Sequence, residues 1–386
     1  MNPSKFSLLP SGLPSLLRSE LSSKLTSKLV SGVASLSSGA RCWCTLALFI
    51  CLSACDKDSG LSAYYRMDSV VSGVHYTALQ EADGIINPDD EYIVVLGDVQ
   101  EYTAEVATMA PLQRSLLWTL SQRSAYDNIA CVLEVGDVTN WNGVVQWERY
   151  EEAIRDVVKS GLPVFSSTGN HDYDVGEGAK IRDRKSTRIN NYLSYCFPDS
   201  VVKARFEEGR IENLIVRLPL KSADIDMIML EFAPRKEVVD WACDWVASHP
   251  EQKFILMTHE MLWNDGTLID IGEMCYAERH FAGTASTWTS PKELVERLLK
   301  PYSNVKAALS GHNGFAALND SQTNVAGAPI PLIQFNLQYQ ENAGDSMVLL
   351  LRFDNAAETA DCTVYHTDGR HTVDTPISGY SFSIGD

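Results

Sequence analysis

Short runs of hydrophobic residues recur along the chain, and polar residues separate them. Each run is too short for a helix and too continuous for a strand with one exposed face. This pattern is typical of strands that are buried on both faces. We therefore predict six interior strands, at residues 92–96, 131–135, 163–165, 227–232, 254–257 and 305–309.

Segments with a helical spacing of hydrophobic residues lie between these runs, at 111–122, 144–158, 236–247 and 291–299. The last segment opens with Ser290 and Pro291, which favour an N-cap and a first helical turn. Strands that alternate with helices predict an α/β core. Three later runs have no helical segment between them, so we expect a second sheet or an antiparallel edge at 330–336, 347–353 and 362–366.

The first 55 residues have the layout of an export signal. Residues 43–52 are apolar, and they follow Arg41 and a serine-rich leader whose only acidic residue is Glu20. A basic stretch before a short apolar segment is typical of a signal peptide. The boundary Leu52-Ser53-Ala54-Cys55 resembles the lipobox of bacterial lipoproteins, which implies lipidation of Cys55 and anchoring to the cell membrane or outer membrane. A plain secretory signal or a short buried helix is the alternative for this segment. Residues 56–90, which follow it, have the composition of a polar linker.

The composition is that of a globular protein, with 45% hydrophobic and 21% charged residues among 386. This balance excludes a disordered chain, and the chain has no unbroken apolar stretch of about 18 residues such as a polytopic membrane protein needs. The formal net charge of −18 repels phosphate backbones, so we expect no nucleic-acid partner. The odd number of cysteines after Cys55 predicts mostly buried thiols, with one disulfide as the alternative, among Cys131, Cys196, Cys243, Cys275 and Cys362.

Polar residues follow five of the predicted strands at their C-terminal ends. Because ligands of open α/β sheets bind beyond the carboxyl ends of the strands, we expect these residues to converge. The spacings from Asp98 to Asp137 and from Asp137 to Asn170 are 39 and 33 residues, about one strand-helix-strand unit each. The five segments are Gly97-Asp98-Val99-Gln100, Gly136-Asp137, Gly169-Asn170-His171-Asp172, Thr258-His259 and Gly311-His312-Asn313-Gly314.

Two carboxylates, an amide and two imidazoles in one place predict a cation site. Asp98 and Asp137 would repel each other unless a cation lay between them. Oxygen and imidazole ligands without a thiolate suit Mn, Fe or Zn. Each segment by itself has a plainer interpretation, because Gly-Asp after a strand is most often a turn and a lone histidine is most often a buried structural residue. The ordered occurrence of all five segments favours the metal site.

The order of these motifs resembles the calcineurin-like metallophosphoesterase superfamily, whose motifs read D-x-H, G-D, G-N-H-D/E, H and G-H-x-H. The match covers about residues 91–315. Residues 232–235, the segment around Trp241 and Gly344-Asp345-Ser346 further resemble an exported bacterial branch with a D-x-Q first motif. The resemblance implies a four-layer αββα sandwich of two mixed β-sheets flanked by helices, in a domain of residues 91–386.

The resemblance also implies which residues bind divalent metal ions. Asp137 would bridge two ions. Asn170, His259 and His312 would complete one site, and Asp98 would hold the other ion. His171, next to Asn170, would lie near the leaving oxygen of a phosphoester. The implied set also includes Asp172, which would orient His171.

Two residues depart from the superfamily pattern. Gln100 and Gly314 stand where the superfamily has histidines. Both departures affect the site of Asp98, so we expect one well-formed site and one weaker site with Gln100 as a carbonyl ligand. Fewer imidazoles should shift the weaker site toward oxygen-loving ions such as Mn or Mg.

The resemblance implies an enzyme that hydrolyses phosphomonoesters or phosphodiesters with a metal-activated water, and the lipobox-like boundary at Cys55 implies that it acts at the cell envelope. The substrate would be a small-molecule or lipid phosphoester. The alternative is a catalytically weak metal-binding lipoprotein that acts as a binding or scaffold module, which Gln100 and Gly314 favour.

The sequence indicates substrate-binding residues less clearly than metal ligands. Arg235 follows a predicted strand and is a candidate phosphate clamp, with an ion pair to Glu237 or Asp240 as the alternative. Tyr102 and Tyr173 either line the cleft or pack in the core. A basic segment either attracts an anionic substrate or is a solvated turn, and it contains Lys180, Arg182, Arg184, Lys185 and Arg188.

Overall fold

The computed structural model describes residues 83–174, 182–271, 287–354 and 356–385. The predicted signal peptide, Cys55, the linker up to residue 82, Lys180 and Cys275 lie outside the described residues. Within these ranges, no helix has the length and apolar character needed to cross a membrane.

Sheet 1 has a parallel half and an antiparallel half, in the order β13-β12-β11-β1-β2-β3, with β14 beside β12. The parallel half contains β1 (Glu91–Leu96), β2 (Ile129–Glu134) and β3 (Val164–Ser166). The antiparallel half contains β11 (Met347–Asp354), β12 (Thr359–His366), β13 (His371–Thr372) and β14 (Ser381–Ser383). The late runs therefore form the predicted antiparallel edge, except for residues 330–336.

Sheet 2 has the order β4-β5-β6-β7-β8-β10-β9. Its centre is parallel, from β6 (Ile225–Met229) through β7 (Lys253–Met257) and β8 (Val305–Ser310) to β10 (Leu332–Gln334). The antiparallel edges are β4 (Val202–Arg205) and β5 (Leu214–Arg217) on one side and β9 (Ala317–Asn319) on the other. Both sheets are therefore mixed, as predicted.

The helices are α1 (Gln100–Ala104), α2 (Ala110–Tyr126), α3 (Val144–Lys159), α4 (Ile189–Leu193), α5 (Lys236–Ser248) and α6 (Pro291–Leu294), which continues as a π-helical turn, Val295–Leu299. Ser290 caps α6 as predicted, since its hydroxyl oxygen accepts a hydrogen bond from the Glu293 N–H at 3.1 Å. The predicted α-helix thus changes its hydrogen-bonding pattern after Leu294.

Alternate side chains of sheet 2 enter two different cores, which produces the layers. Met227 and Ile255 join the core between the two sheets, whereas Ile228 and Leu256 point outward into a second core. Helices α5 and α6 cover this outer core, and α2 and α3 pack against β2 and β3 of sheet 1. This is the predicted four-layer αββα sandwich of two mixed sheets flanked by helices.

The end of the predicted linker packs on sheet 1. Ile86 is 2% exposed, and the Asp83 carboxylate accepts hydrogen bonds from Trp118 Nε1 at 3.0 Å and from the Tyr365 hydroxyl at 2.6 Å. These contacts join helix α2 and strand β12, so the folded region includes residues from Asp83 onward rather than from 91.

A candidate metal centre between the two sheets

The five predicted strand ends meet at one edge of the sandwich. Asp98, Asp137 and Asn170 come from β1, β2 and β3 of sheet 1, and His259 and His312 follow β7 and β8 of sheet 2. All five side chains are more than nine-tenths buried. The parallel strands of each sheet bring their carboxyl ends to the same edge, which is why distant motifs converge.

Asp137, His259 and His312 form the centre of the site. His259 Nε2 lies 3.2 Å from Asp137 Oδ2, 3.3 Å from Asn170 Oδ1 and 3.2 Å from His312 Nδ1. The ligand atoms of the two histidines and Asp137 all lie within 4.8 Å of one another. This spacing allows a single ion to contact Asp137, His259, His312 and Asn170.

The hydrogen bonds of His259 show that its Nε2 atom is available as a ligand. Its Nδ1 atom lies 2.8 Å from the carbonyl oxygen of Val135, which can only accept, so Nδ1 carries the proton. In the neutral ring, Nε2 then presents a lone pair toward the oxygens of Asp137 and Asn170. Converging lone pairs repel unless a cation lies among them, so these residues fit a divalent metal ion.

Without a metal ion, the charges of the site favour a proton on His259 instead. Burial by itself lowers the pKa of His259, but the carboxylates of Asp137 and Asp98 raise it to about 10. Burial by itself raises the pKa of Asp137, yet the imidazoles of His259 and His171 lower it below the ordinary value of an aspartate. The site therefore favours positive charge among its ligands, which either a proton or a metal ion supplies.

Two glycines keep the loops of the site close together. Gly136 has a φ of 105°, and a Cβ atom there would lie 2.5 Å from the His259 ring. A Cβ atom on Gly169 would lie 2.1 Å from Asp137 Oδ1. Asp137 itself has a φ of 57°. Only glycine leaves room for ligands from neighbouring strands to approach this closely.

Asp98 has a different environment from Asp137. Its Oδ1 atom accepts a hydrogen bond from the His312 N–H at 3.1 Å, and its Oδ2 atom accepts one from Asn336 Nδ2 at 2.6 Å. Gln100 Nε2 donates to Gln338 Oε1 at 2.8 Å. Burial raises the pKa of Asp98 well above its ordinary range, and the nearby Asp137 charge adds to this effect.

Asn336 and Gln338 are site residues that the sequence interpretation missed. They follow β10, which is parallel to β8, so they reach the same edge as the predicted motifs. The signal was present, because residues 330–336 were predicted as a strand and polar residues follow its hydrophobic part. Because β10 lies parallel to β8 within sheet 2 and not in an antiparallel edge, its C-terminal end is a sixth strand end at the site.

His171 joins the site through its backbone and its ring. Its N–H donates to Asp137 Oδ1 at 2.7 Å, and its Nδ1 atom donates to the Asn140 carbonyl oxygen at 2.6 Å. The proton on Nδ1 is fixed by this carbonyl acceptor, so Nε2 is the atom that can exchange a proton. The half-buried ring thus has the orientation that an acid or base needs.

The expectation that Asp172 orients the His171 ring is wrong. The buried carboxylate accepts hydrogen bonds from the N–H groups of Gly169, Val138 and Thr139 at 2.9 to 3.2 Å, and from the Thr139 hydroxyl at 2.9 Å. These donors hold the loop after β3 against the loop after β2. Burial, with the nearby Asp137 charge, raises the pKa of Asp172 to about 6.

Arg235 is not placed as a phosphate clamp. Its Nε atom donates to Glu231 Oε1 at 2.8 Å, and both Nη atoms lie 3.3 Å from the carboxylate of Glu207. Its guanidinium carbon lies 5.3 Å from the centre of the Phe206 ring. The predicted ion-pair alternative is closer to the structure, although its main partners are Glu231 and Glu207, with Glu237 at 3.9 Å.

The remaining predicted substrate contacts are structural in the described chain. Tyr102 donates to the Ala343 carbonyl oxygen, and the buried Tyr173 hydroxyl lies 2.7 Å from Thr168 Oγ1. Three arginines of the basic segment donate to backbone carbonyl oxygens of nearby loops, at distances of 2.9 to 3.0 Å: Arg182 to Tyr173, Arg184 to Phe232 and Arg188 to Asn142. These bonds tie the segment to the loops around the site.

Comparison with known families identifies the family to which this chain belongs. The family model of the calcineurin-like phosphoesterases matches residues 77–313, more than half of the chain. The chain belongs to the calcineurin-like phosphoesterase family. The matched span of the phosphoesterase model includes Asp98, Asp137, Asn170, His259 and His312, and the family is metal-dependent.

Individual relatives of this phosphoesterase-family chain are distant. The uncharacterized protein YvnB of Bacillus subtilis strain 168 is 24% identical over 247 residues, which cover 62% of this chain and 17% of YvnB. The chain thus spans less than a fifth of the length of that relative.

Two solved structures are similar at low identity. One is a conserved uncharacterized protein of Streptococcus pneumoniae TIGR4, described as a predicted phosphoesterase, with 11% identity, a TM-score of 0.32 and coverage of 76% of this chain and 98% of that chain. The other is the NAD nucleotidase of Haemophilus influenzae, with 13% identity, a TM-score of 0.30 and coverage of 69% and 47%.

Proposed function

We propose that this protein is a metal-dependent hydrolase of phosphomonoesters or phosphodiesters at the bacterial cell envelope. The observation that supports this proposal best is the convergence of Asp137, Asn170, His259 and His312 from two sheets, with ligand atoms spaced for one cation. Membership of the phosphoesterase family supports the same reaction class. The substrate would be a small-molecule or lipid phosphoester.

Each of the described site residues would have a separate role in the reaction. When bound, a divalent ion such as Mn, Fe, Zn or Mg would lower the pKa of a water molecule and neutralise charge on the phosphate oxygens. Asp137, Asn170, His259 and His312 would hold that ion. His171, protonated on both ring nitrogens, would give its Nε2 proton to the leaving oxygen and become neutral, while its Nδ1 proton stays hydrogen-bonded to the Asn140 carbonyl oxygen. Asp172 would keep the two ligand loops in register.

The scaffold alternative rests on the environment of Asp98. Both oxygens of this carboxylate already accept hydrogen bonds, and Gln100 and Gly314 replace the histidines of the family pattern. A protein with this arrangement could keep a metal ion for structure or for binding while its turnover is low.

A hydrolysis assay separates the two functions. The protein loaded with Mn, Zn or Mg is incubated with bis-p-nitrophenyl phosphate and with p-nitrophenyl phosphate. We expect metal-dependent turnover of at least one substrate and a loss of about 100-fold or more in Asp137→Asn and His259→Gln. His249→Gln, which removes an exposed histidine at the end of α5, is the matched control. No turnover of either ester at full metal loading would support the scaffold.

The envelope location has separate support, from the Leu52-Ser53-Ala54-Cys55 boundary after the apolar segment. We also propose that this chain belongs to the exported bacterial branch with a D-x-Q first motif. Expression in a bacterial host should place the wild-type protein in the membrane fraction. Cys55→Ser should move it away from that fraction, because the lipid attachment atom is lost. Equal fractionation of both forms would contradict lipid anchoring.

A further inference from the structure

The surroundings of Asp98 contain hydrogen-bond donors where a cation would need acceptors. Asn336 Nδ2 donates to Asp98 Oδ2 at 2.6 Å, and the His312 N–H donates to Asp98 Oδ1 at 3.1 Å. Asp98 is 3% exposed, so water does not compete strongly for its oxygens. The carboxylate is therefore satisfied by neutral partners of the chain.

The orientation of the Asn336 amide is determined by a second contact. Its Oδ1 atom accepts the backbone N–H of Gln338 at 2.9 Å, and a backbone N–H can only donate. Its Nδ2 atom also lies 3.2 Å from the His312 carbonyl oxygen, which can only accept. A rotation of the amide by 180° would break both contacts, so the NH₂ group must face Asp98.

Gln100 and Gln338 complete this group, which we call the amide cluster (Gln100, Asn336 and Gln338). Gln100 Nε2 donates to Gln338 Oε1 at 2.8 Å, while Gln338 Nε2 lies 3.5 Å from the His312 carbonyl oxygen. Gln100 Oε1 is buried and has no hydrogen-bond partner within the described residues. As a metal ligand, the neutral Gln100 oxygen would be a weak replacement for the two imidazoles of the superfamily pattern.

A tyrosine occupies the space beside Gly314. A Cβ atom on Gly314 would lie 2.1 Å from Tyr339 Cδ2, so no larger residue fits there with the ring in place. The Tyr339 ring packs edge-on against Phe315, with 6.1 Å between ring centres, and Tyr339 is 67% exposed. The position from which the family pattern supplies its last histidine is thus covered by an aromatic ring rather than open for a ligand.

We propose that this centre binds one divalent ion, at Asp137, Asn170, His259 and His312, and that the amide cluster replaces a second ion beside Asp98. This inference rests on the proposed metal-dependent function and specifies its metal content. The Asn336 amide supplies the hydrogen-bond donor that holds Asp98 without a cation. The weaker second site expected from the sequence is, on this proposal, absent.

The test is a count of bound ions in the full chain. The protein is equilibrated with excess Mn²⁺, freed of loose ions on a desalting column and measured by inductively coupled plasma mass spectrometry. We expect one ion per chain in the wild type. Asn336→Asp should raise the count to two, because it removes the donor and places a second carboxylate beside Asp98, and two buried carboxylates at this distance favour a cation.

The matched control carries the same asparagine-to-aspartate substitution at the N-terminal end of β8, the end of that strand opposite to the site. Asn304 precedes β8, and its Nδ2 atom donates to the carbonyl oxygens of His249 and Gln252. Asn304→Asp changes the net charge equally and should leave the count at one. Anomalous X-ray diffraction at the Mn edge should place the wild-type ion beside His259 and His312. If Asn336→Asp does not fold, Gln338→Glu serves as the second variant with the same expected increase.

The outcomes separate this inference from the proposed function. Two tightly bound ions in the wild type, one of them beside Asp98, would overturn the inference while metal-dependent hydrolysis could still stand. A count of one in the folded Asn336→Asp variant would also overturn it. A wild-type count of zero at excess Mn²⁺ and Zn²⁺ would overturn both proposals.

Discussion

At the residue scale, backbone carbonyl groups determine which histidine nitrogen is available for chemistry. The carbonyl oxygen of Val135 fixes the proton on His259 Nδ1, and that of Asn140 fixes the proton on His171 Nδ1. In each ring, Nε2 is therefore the nitrogen that this hydrogen bond leaves available. On the proposed mechanism His259 would be a metal ligand and His171 the acid, because His259 has its Nε2 atom beside the oxygens of Asp137 and Asn170.

His171→Gln tests the proposed acid. We expect kcat to fall by about 100-fold or more for esters with a poor leaving group such as phenol, because that oxygen needs a proton in the transition state. The loss should be much smaller for p-nitrophenol, which leaves as a stable anion. The bound metal should not change, since the imidazole of His171 is outside the ligand set. Equal losses for both esters would contradict the role.

Asp172→Asn tests the corrected role of Asp172. Two donors point at each carboxylate oxygen: the Gly169 and Val138 N–H groups at Oδ2, and the Thr139 N–H and hydroxyl at Oδ1. Whichever way the new amide is oriented, its NH₂ group faces at least one backbone N–H, which can only donate. We expect a loss of about 2 to 4 kcal/mol in the free energy of unfolding, measured by urea denaturation. Unchanged stability would show that the loop contacts are dispensable.

At the element scale, the glycines at strand ends set the distance between ligand loops. In Gly169→Ala the new Cβ atom would lie 2.1 Å from Asp137 Oδ1 and 2.2 Å from the Asp137 backbone nitrogen, so one loop must move. We expect metal affinity to fall by more than about tenfold, since ligand geometry is lost. Isothermal titration with Mn²⁺ measures this change. Gly84→Ala, with no atom within 4 Å of the new Cβ, is the control.

The antiparallel edge of sheet 1 contains a cross-strand ion pair that makes stability depend on pH. Arg352 on β11 lies directly opposite Asp361 on β12, with Nε 3.0 Å from Oδ2. Burial opposes the charge of Asp361, but Ser381 and Arg352 lower its pKa. A lowered pKa contributes stability above the unfolded-state pKa of about 4, and this contribution is lost as pH falls through the folded-state value.

Asp361→Asn should therefore cost about 0.5 kcal/mol of unfolding free energy at pH 7, a small value because the pair is partly exposed to solvent. The difference from the wild type should decrease as the pH falls below about 4. Urea denaturation at pH 7 and pH 3.5 compares the two proteins. A difference that grows toward low pH would contradict the sign of the effect.

At the scale of the whole molecule, the site connects the two sheets. Asp137 and Asn170 belong to sheet 1, whereas His259 and His312 belong to sheet 2, so a bound ion links layers that otherwise meet through the central hydrophobic core. An ion that binds only the folded state stabilises it by an amount that grows with the logarithm of its concentration.

Metal removal should therefore lower the melting temperature. With free Mn²⁺ at 100 times its Kd, the stabilisation should be about 2.7 kcal/mol, and a chelator should remove it. Differential scanning calorimetry with and without EDTA measures the shift. His312→Ala should remove the metal-dependent part of the shift, and His249→Ala should keep it. An EDTA shift of equal size in His312→Ala would argue against this site.

The sequence determined the buried interior strands, the main helices and the five strand ends with candidate ligands, but not the short strands β4, β5, β9, β13 and β14. These features follow from local patterns, because uninterrupted hydrophobic runs mark buried strands and the parallel topology then brings their carboxyl ends together. Residue type and position at a strand end were sufficient to predict that Asp137, Asn170, His259 and His312 lie together. The α/β class and the family resemblance were within reach for the same reason.

Only the tertiary structure decided which partners the polar side chains have. Arg235 pairs with Glu231 and Glu207, Asp172 binds the loop after β2, and Asp98 faces an amide that follows β10. These partners come from segments that are distant in sequence, or from donors that no pattern orders, and the strength of each contact depends on burial and angle. Local patterns carry no information on distances across two packed sheets, so the chemistry of Asp98 became visible only in three dimensions.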